Sequence, residues 1–122
     1  MATSRRQRQV AELIQAELGD LLQRHAADPR LSLVSITEVT MSPDLLLARV
    51  YVSHLGAEEE TPRIMAALRH ATGYLRHELA GRLSLRFMPE LRFEYDTALA
   101  RARRIDALLD QLADAKDKEG PE

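Results

Sequence analysis

The chain has 122 residues, of which 45% are hydrophobic and 30% are charged, and its formal net charge at pH 7 is −2. That length suits one domain with a single hydrophobic core. The sequence contains no cysteine, which excludes disulfides, thiol nucleophiles and cysteine-ligated metal sites, and suits a reducing cytoplasm, where we expect the protein to act. No apolar stretch reaches the length of a membrane span and the first residues lack a signal-peptide pattern, so we expect no membrane partner.

The first half of the chain predicts a helix followed by a β-hairpin. Ser4 and Gln7 have the spacing of a capping box, and apolar residues then recur with a helical period over residues 5–26. A proline soon afterwards ends this pattern, because the residue before a proline is driven out of helical geometry. Residues 33–41 and 46–53 are rich in alternating β-branched side chains, and the short turn between them predicts that they pair as two strands.

The second half predicts two consecutive helices, a third strand and a last helix. A threonine–proline pair starts a helical pattern over residues 61–83, and Gly73 interrupts this pattern near its middle. Alternation over residues 91–96 predicts the third strand, and a final apolar stripe predicts a helix that ends near residue 112. Residues 113–122 are rich in charge, and we expect them to form a disordered tail.

The resulting order is helix, strand, strand, helix, kink, helix, strand and a C-terminal helix. Strands whose faces alternate can form a three-stranded sheet that carries helices on one face. We therefore predict an α+β fold, and this order of elements is that of a K-homology domain of type II. Residues 1–112 would form that domain, a module that binds RNA in other proteins.

The interruption between the two middle helices is the first candidate site. Ala71, Thr72 and Gly73 would present backbone N–H groups at the start of the second helix, where the helix dipole attracts anions. K-homology domains hold the nucleic-acid backbone at this position with a Gly-x-x-Gly loop. A helix that bends only for packing is the alternative, and the spacing of these residues does not decide between the two.

Cationic residues dominate the sequence around this junction. Residues 63–89 contain five arginines and a single acid, and each phosphate that they neutralise would add to the affinity for RNA. Arginines in the first turn of the first helix oppose the helix dipole unless an anionic partner binds there. A solvated charged surface is the alternative in both places. Together with Ala71, Thr72 and Gly73, the residues predicted to bind RNA are Arg5, Arg6, Arg8, Arg69, His70, Arg76, Arg82 and Arg86.

Other kinds of site find little support in the sequence. Tyr51 and Tyr74 are the remaining aromatic candidates for base stacking, so recognition should depend on the RNA backbone and its shape. The four histidines lack the spacing of a zinc pair, and no nucleophile elbow, phosphate loop or dinucleotide-binding motif is present. We therefore expect no metal, no cofactor and no enzymatic activity.

Several segments carry a resemblance to a known family through their order and spacing. They are Asp28-Pro29-Arg30, Ser42-Pro43-Asp44-Leu45, Ala48-Arg49-Val50-Tyr51-Val52-Ser53, Ala71-Thr72-Gly73-Tyr74-Leu75-Arg76 and Leu85-Arg86-Phe87-Met88-Pro89-Glu90-Leu91-Arg92-Phe93, with Asp96 closing the run. Over about residues 4–112 the chain resembles the ribosome-binding factor A family. That resemblance implies a K-homology fold of type II in which an Ala-x-Gly kink, formed by Ala71 and Gly73, replaces the Gly-x-x-Gly loop.

The resemblance also implies a function. Such a protein is a ribosome assembly factor that binds the free small ribosomal subunit and its rRNA, assists late maturation and 5′-end processing of that rRNA, and matters most in the cold. It has no cofactor and no catalytic activity, and a ribosomal GTPase displaces it. We expect it to act as a monomer that stabilises one rRNA conformation. The alternative is a protein–protein adaptor that docks through the C-terminal helix, by the apolar residues Ile105, Leu108, Leu109 and Leu112.

Overall fold

The computed structural model describes residues 3–25 and 28–118. In this part of the chain the helices and strands follow the predicted order, and the α+β fold class is confirmed. Short helical turns at Leu21–His25, Pro29–Leu33 and Glu58–Glu60 join some of them. The main elements are α1 (Arg5–Asp20), β1 (Val34–Met41), β2 (Leu47–His54), α2 (Thr61–His70), α3 (Thr72–Arg82), β3 (Glu90–Tyr95) and α4 (Ala98–Lys118).

The predicted capping box starts α1. The Gln7 backbone N–H donates to Ser4 Oγ at 3.0 Å, and the Ser4 N–H donates to Gln7 Oε1 at 2.7 Å, so two N–H groups at the helix end are satisfied reciprocally. The same Gln7 side chain donates through Nε2 to the Met41 carbonyl at 2.9 Å. This bond fixes the start of α1 beside the end of β1, while the apolar face of α1 enters the core.

The three strands form one mixed sheet in the order β1-β2-β3. β1 and β2 are antiparallel, as the hairpin pattern predicts, and β3 pairs in parallel with β2. Alternate residues of the central strand, including Val50 and Val52, are buried under α1, α2 and α3 together with Phe93 of β3. These three helices therefore cover one face of the sheet, and they leave β1 and β3 as its two edges.

The C-terminal helix α4 lies over the other face of the sheet. Its Arg104 guanidinium carbon sits 3.9 Å from the centre of the Tyr51 ring, and Tyr51 points away from the core because it alternates with Val50 and Val52. The apolar stripe of α4 does not enter the core. We conclude that polar and cation–π contacts, rather than burial of that stripe, hold α4 on the sheet.

The end of α4 differs from the sequence prediction. The helix continues to Lys118, so the boundary predicted near residue 112 is not seen. The residues from 113 to 118 include alanines and lysines, which favour helix, and their charge therefore does not end it. Residues 119–122 of the predicted tail lie outside the described residues, and their disorder stays a prediction.

The predicted break between the two middle helices is present, but its position is Ala71. This residue has φ −84° and ψ −1°, which ends α2 and starts α3 with a change of direction. Gly73 lies two residues further on, inside the first turn of α3. No glycine of the described residues has a positive φ, and a Cβ built on Gly73 would meet no heavy atom within 4 Å. Neither backbone conformation nor packing therefore requires glycine at this position.

Candidate nucleic-acid interface

The start of α3 is open to an anion. Ala71 forms the N-cap and gives no side-chain cap hydrogen bond, while the Thr72 hydroxyl donates back to the Leu68 carbonyl at 3.1 Å. The first N–H groups of a helix have no partner within that helix, and the helix dipole adds a partial positive charge there. Gly73 is exposed and lacks a side chain, so a phosphate can approach this backbone closely.

A groove runs between this junction and the free edge of β3. In the parallel pair, the Glu90 N–H donates to the Leu46 carbonyl and the Asp96 N–H donates to the Val52 carbonyl. The alternate residues 91, 93 and 95 therefore direct their backbone N–H and carbonyl groups away from β2, to the outside of the sheet. Hydrogen-bonding groups at a strand edge can pair with a ligand. The groove has a volume of about 350 Å³ and is lined by Arg69, Thr72, Leu91, Arg92, Phe93 and Glu94.

Of the predicted residues, the structure brings Arg69 and Thr72 together in this β3-edge groove. Arg69 Nη2 lies 3.5 Å from the Phe93 carbonyl, a weak contact that leaves most of its hydrogen-bonding capacity for a ligand. Arg92 is a cation that the sequence prediction missed. Its alternation with the buried Phe93 was the signal that could have placed it on the exposed side of the strand.

Two predicted arginines have partners within the protein. Arg76 donates through Nε to the Pro89 carbonyl and through Nη2 to the Met88 carbonyl, both at 3.0 Å, and so holds the loop that leads into β3. Arg82 bonds to Asp20 at 2.8 Å and to Glu17 at 3.1 Å, and these bonds raise the pKa of its guanidinium above the ordinary value. The charge of Arg82 is thus already matched by α1.

The other predicted residues lie in separate places. His70 and Ala71 are on the side of the junction away from β3, and Arg86 is exposed on the loop after α3 with its guanidinium 5.4 Å from the Phe87 ring. Arg5, Arg6 and Arg8 are exposed at the start of α1, which packs on β1, at the opposite edge of the sheet from β3. The predicted arginines therefore do not form one continuous face, and their role in RNA binding stays a prediction.

The second face of the sheet carries a buried polar network. The Asp96 carboxylate accepts from the Thr37 hydroxyl at 2.6 Å and from Arg104 Nη2 at 3.0 Å, and Arg104 also pairs with Glu38. Burial would raise the pKa of Asp96, but the bonds from Thr37 and Arg104 lower it below the ordinary value. Because Arg104 covers the Tyr51 ring, this tyrosine is not available for base stacking.

The described residues contain no group of three or more histidine, cysteine, aspartate or glutamate residues that could hold a metal ion. Within the same residues, every helix is too short or too polar to cross a membrane.

Comparison with known proteins links this geometry to one family. Residues 6–109 match the family model described as Ribosome-binding factor A. Ribosome-binding factor A of Nitrosococcus oceani is 46% identical over 106 residues, which cover 87% of this chain and 84% of that protein. A solution structure of a Thermotoga maritima protein described as a putative ribosome binding factor A is 32% identical, covers 80% of this chain and 93% of its own, and has a TM-score of 0.67. A homology model of Thermus thermophilus ribosome binding factor A, fitted into a cryo-electron microscopy map of its complex with 30S, is 31% identical, with coverages of 69% of this chain and 88% of its own and a TM-score of 0.58.

Proposed function

This chain belongs to the ribosome-binding factor A family and is a ribosome-binding factor, and we propose that it binds the free small ribosomal subunit and assists late maturation of its rRNA. The observation that carries this proposal is the β3-edge groove beside the uncapped start of α3. The groove supplies backbone donors and acceptors for bases, while the helix start and Arg69 attract phosphate. The related 30S complex supports the small subunit as the partner.

The mechanism needs no chemical step. A rigid surface that binds one rRNA conformation more tightly than another shifts the equilibrium toward the bound form. The chain would thereby hold a late intermediate in which the 5′ end of the rRNA can be processed. We propose that it acts without catalysis or cofactor, as a cytoplasmic monomer, and that a ribosomal GTPase displaces it when the subunit matures.

Binding to subunits at different stages tests the proposal. The full-length chain should sediment with purified immature small subunits and not with assembled ribosomes. Ribonuclease treatment of the immature particles should abolish that association, because RNA provides the contacts. Equal sedimentation with assembled ribosomes would contradict the proposed preference for the free subunit.

A protein–protein adaptor is the second candidate, and exposed residues of α4 favour it. Ile105, Leu108, Leu109 and Leu112 are between 51% and 58% exposed, although they repeat at helical spacing. Asp106 and Asp110 lie in the same helix and are also exposed. Such a surface suits a basic amphipathic helix of another protein. Association with small subunits that survives ribonuclease and is lost on Leu108→Asp would favour this adaptor function.

A further inference from the structure

A second groove lies on the other side of the α2–α3 junction and has no role in the function proposed above. It has a volume of about 620 Å³, within the range of known ligand sites. One wall is the turn that contains Arg30 and Leu31, and the other is a face of α2 together with Tyr74 in the first turn of α3. We refer to it as the Tyr74 groove.

The floor and one wall of the Tyr74 groove can accept a ligand with a flat, apolar face. Ala66, Ala67 and Ala71 provide small side chains, so a planar group can lie close to the helix backbone. Tyr74 is 43% exposed and lines the same groove. Bases of single-stranded RNA stack on aromatic side chains of this kind, and every base offers such a face. Tyr74 is one of the two stacking candidates of the sequence, and in the structure it lines this groove.

The rim of the Tyr74 groove carries two arginines, and Arg63 is the less firmly paired of them. Among the described residues that line it, Asp28 is the one carboxylate, and it holds the Arg30 guanidinium through bonds of 2.7 to 3.2 Å while also accepting the Arg30 backbone N–H. Arg63 and Arg30 both line the groove, and Arg63 Nη1 lies 4.0 Å from Glu60 Oε2. Exposed pairs at this distance are weak, so Arg63 can turn to a phosphate at little cost. His70 adds a further donor at the junction end.

We propose that the Tyr74 groove holds one unpaired nucleotide of the bound rRNA, with its base against Tyr74 and its phosphate at Arg63. This inference rests on the proposed function and extends it. The two grooves flank the same junction, with Arg69 and Thr72 on one side and His70 and Tyr74 on the other. A single strand whose backbone crosses the open start of α3 therefore places neighbouring nucleotides on both sides. RNA with an unpaired nucleotide at the contact would bind better than a fully paired helix.

The direct test compares variants of the full-length chain for affinity to purified immature small subunits. Tyr74→Ala should weaken binding at least fivefold, the lower limit for loss of one base stack. Tyr74→Phe should bind within twofold of wild type because the ring is kept. Ala66→Glu, which fills the groove and adds a negative charge at an exposed site, should weaken binding as much as Tyr74→Ala. Thermal unfolding of each variant establishes that it is folded.

Two matched controls separate the groove from general effects of charge. Arg63→Ala should weaken binding severalfold and reduce the salt dependence, whereas Arg24→Ala should change neither, although Arg24 is also exposed and also pairs with one acid. Ala16→Glu adds the same charge as Ala66→Glu at an exposed site on α1 and should have no effect.

The outcomes distinguish this inference from the proposed function. Wild-type affinity in both Tyr74→Ala and Ala66→Glu would overturn the nucleotide site and leave the proposed function intact. Absence of binding by the wild-type chain would instead refute the proposed function. If the loss in Tyr74→Ala concerned an association that resists ribonuclease, the groove would bind a protein segment, and the nucleotide assignment would be wrong.

Discussion

Replacement of Gly73 by alanine should raise the stability of the domain and lower its affinity for RNA at the same time. Gly73 lies in α3 without a positive φ, and its added Cβ would meet no heavy atom within 4 Å outside the backbone of its own helix. Glycine-to-alanine changes at such sites stabilise by about 0.4–1 kcal/mol, which for a domain of this size raises Tm by roughly 1–5 °C. The same methyl group would stand where a phosphate approaches the start of the helix.

The loss of affinity can be estimated from that contact. A hydrogen bond between a backbone N–H group and a phosphate is worth about 1.5–3 kcal/mol, so its loss weakens binding roughly tenfold or more. Differential scanning fluorimetry gives Tm, and titration of purified immature small subunits with labelled protein gives the affinity. Opposite signs in the two measurements would show that glycine serves the ligand rather than the fold.

Gly81 provides the matched control for this substitution. It also lies in α3, is exposed, and has no heavy atom within 4 Å of an added Cβ. Gly81→Ala should therefore stabilise the domain by a similar amount and leave the affinity unchanged. If Gly73→Ala raised Tm but bound immature subunits as tightly as wild type, the Ala71–Gly73 junction would be a packing feature without a role in binding.

Two further predictions concern the network under α4. Arg104→Ala removes the closer of the two arginines that pair with the buried Asp96 carboxylate and leaves Arg101, whose Nε lies 3.8 Å away. It should lower the free energy of unfolding by about 1–3 kcal/mol, with faster hydrogen exchange in α4; unchanged exchange would show that other contacts hold this helix. The lowered pKa of Asp96 means that the unfolded chain binds its proton more readily, so this stabilisation is present above the unfolded pKa, near 3.9, and is lost as pH falls through the folded pKa. Asp96→Asn should accordingly be less stable than wild type in urea unfolding at pH 7, and the difference should shrink below about pH 4; a difference independent of pH would contradict this role of the carboxylate.

Local signals in the sequence predicted most of the fold. The capping box at Ser4 and Gln7, the alternating hairpin strands and the break before Gly73 each depend on residues close in the chain, and all three are present. Periodicity also identified the buried faces of α1 to α3. It also predicted the helix α4, whose apolar stripe is exposed; periodicity alone does not show whether another element covers a helix face.

The candidate site was harder to predict, because contacts between residues far apart in the sequence decide which of its arginines are free. Arg82 belongs to an acid-poor segment, yet its partners Glu17 and Asp20 come from α1, 65 and 62 residues away. Arg76 similarly bonds to carbonyls of a loop whose path only the folded chain defines. A count of charges along the sequence therefore overestimates the cations that are free to bind phosphate. It also misses Arg92, which lines the β3-edge groove and pairs with Glu90 at 3.4 Å.

If cations around the α2–α3 junction bind rRNA phosphates of the small subunit, the affinity must depend on salt. The affinity for purified immature small subunits can be measured over a range of salt concentrations. If about four to six phosphates are neutralised, the logarithm of the association constant should fall with a slope of roughly −3 to −5 against the logarithm of salt concentration. Arg69→Ala should reduce that slope by about one, whereas Arg82→Ala should leave it unchanged because Glu17 and Asp20 already match its charge. A wild-type slope near zero, or equal slopes for wild type and Arg69→Ala, would contradict the account.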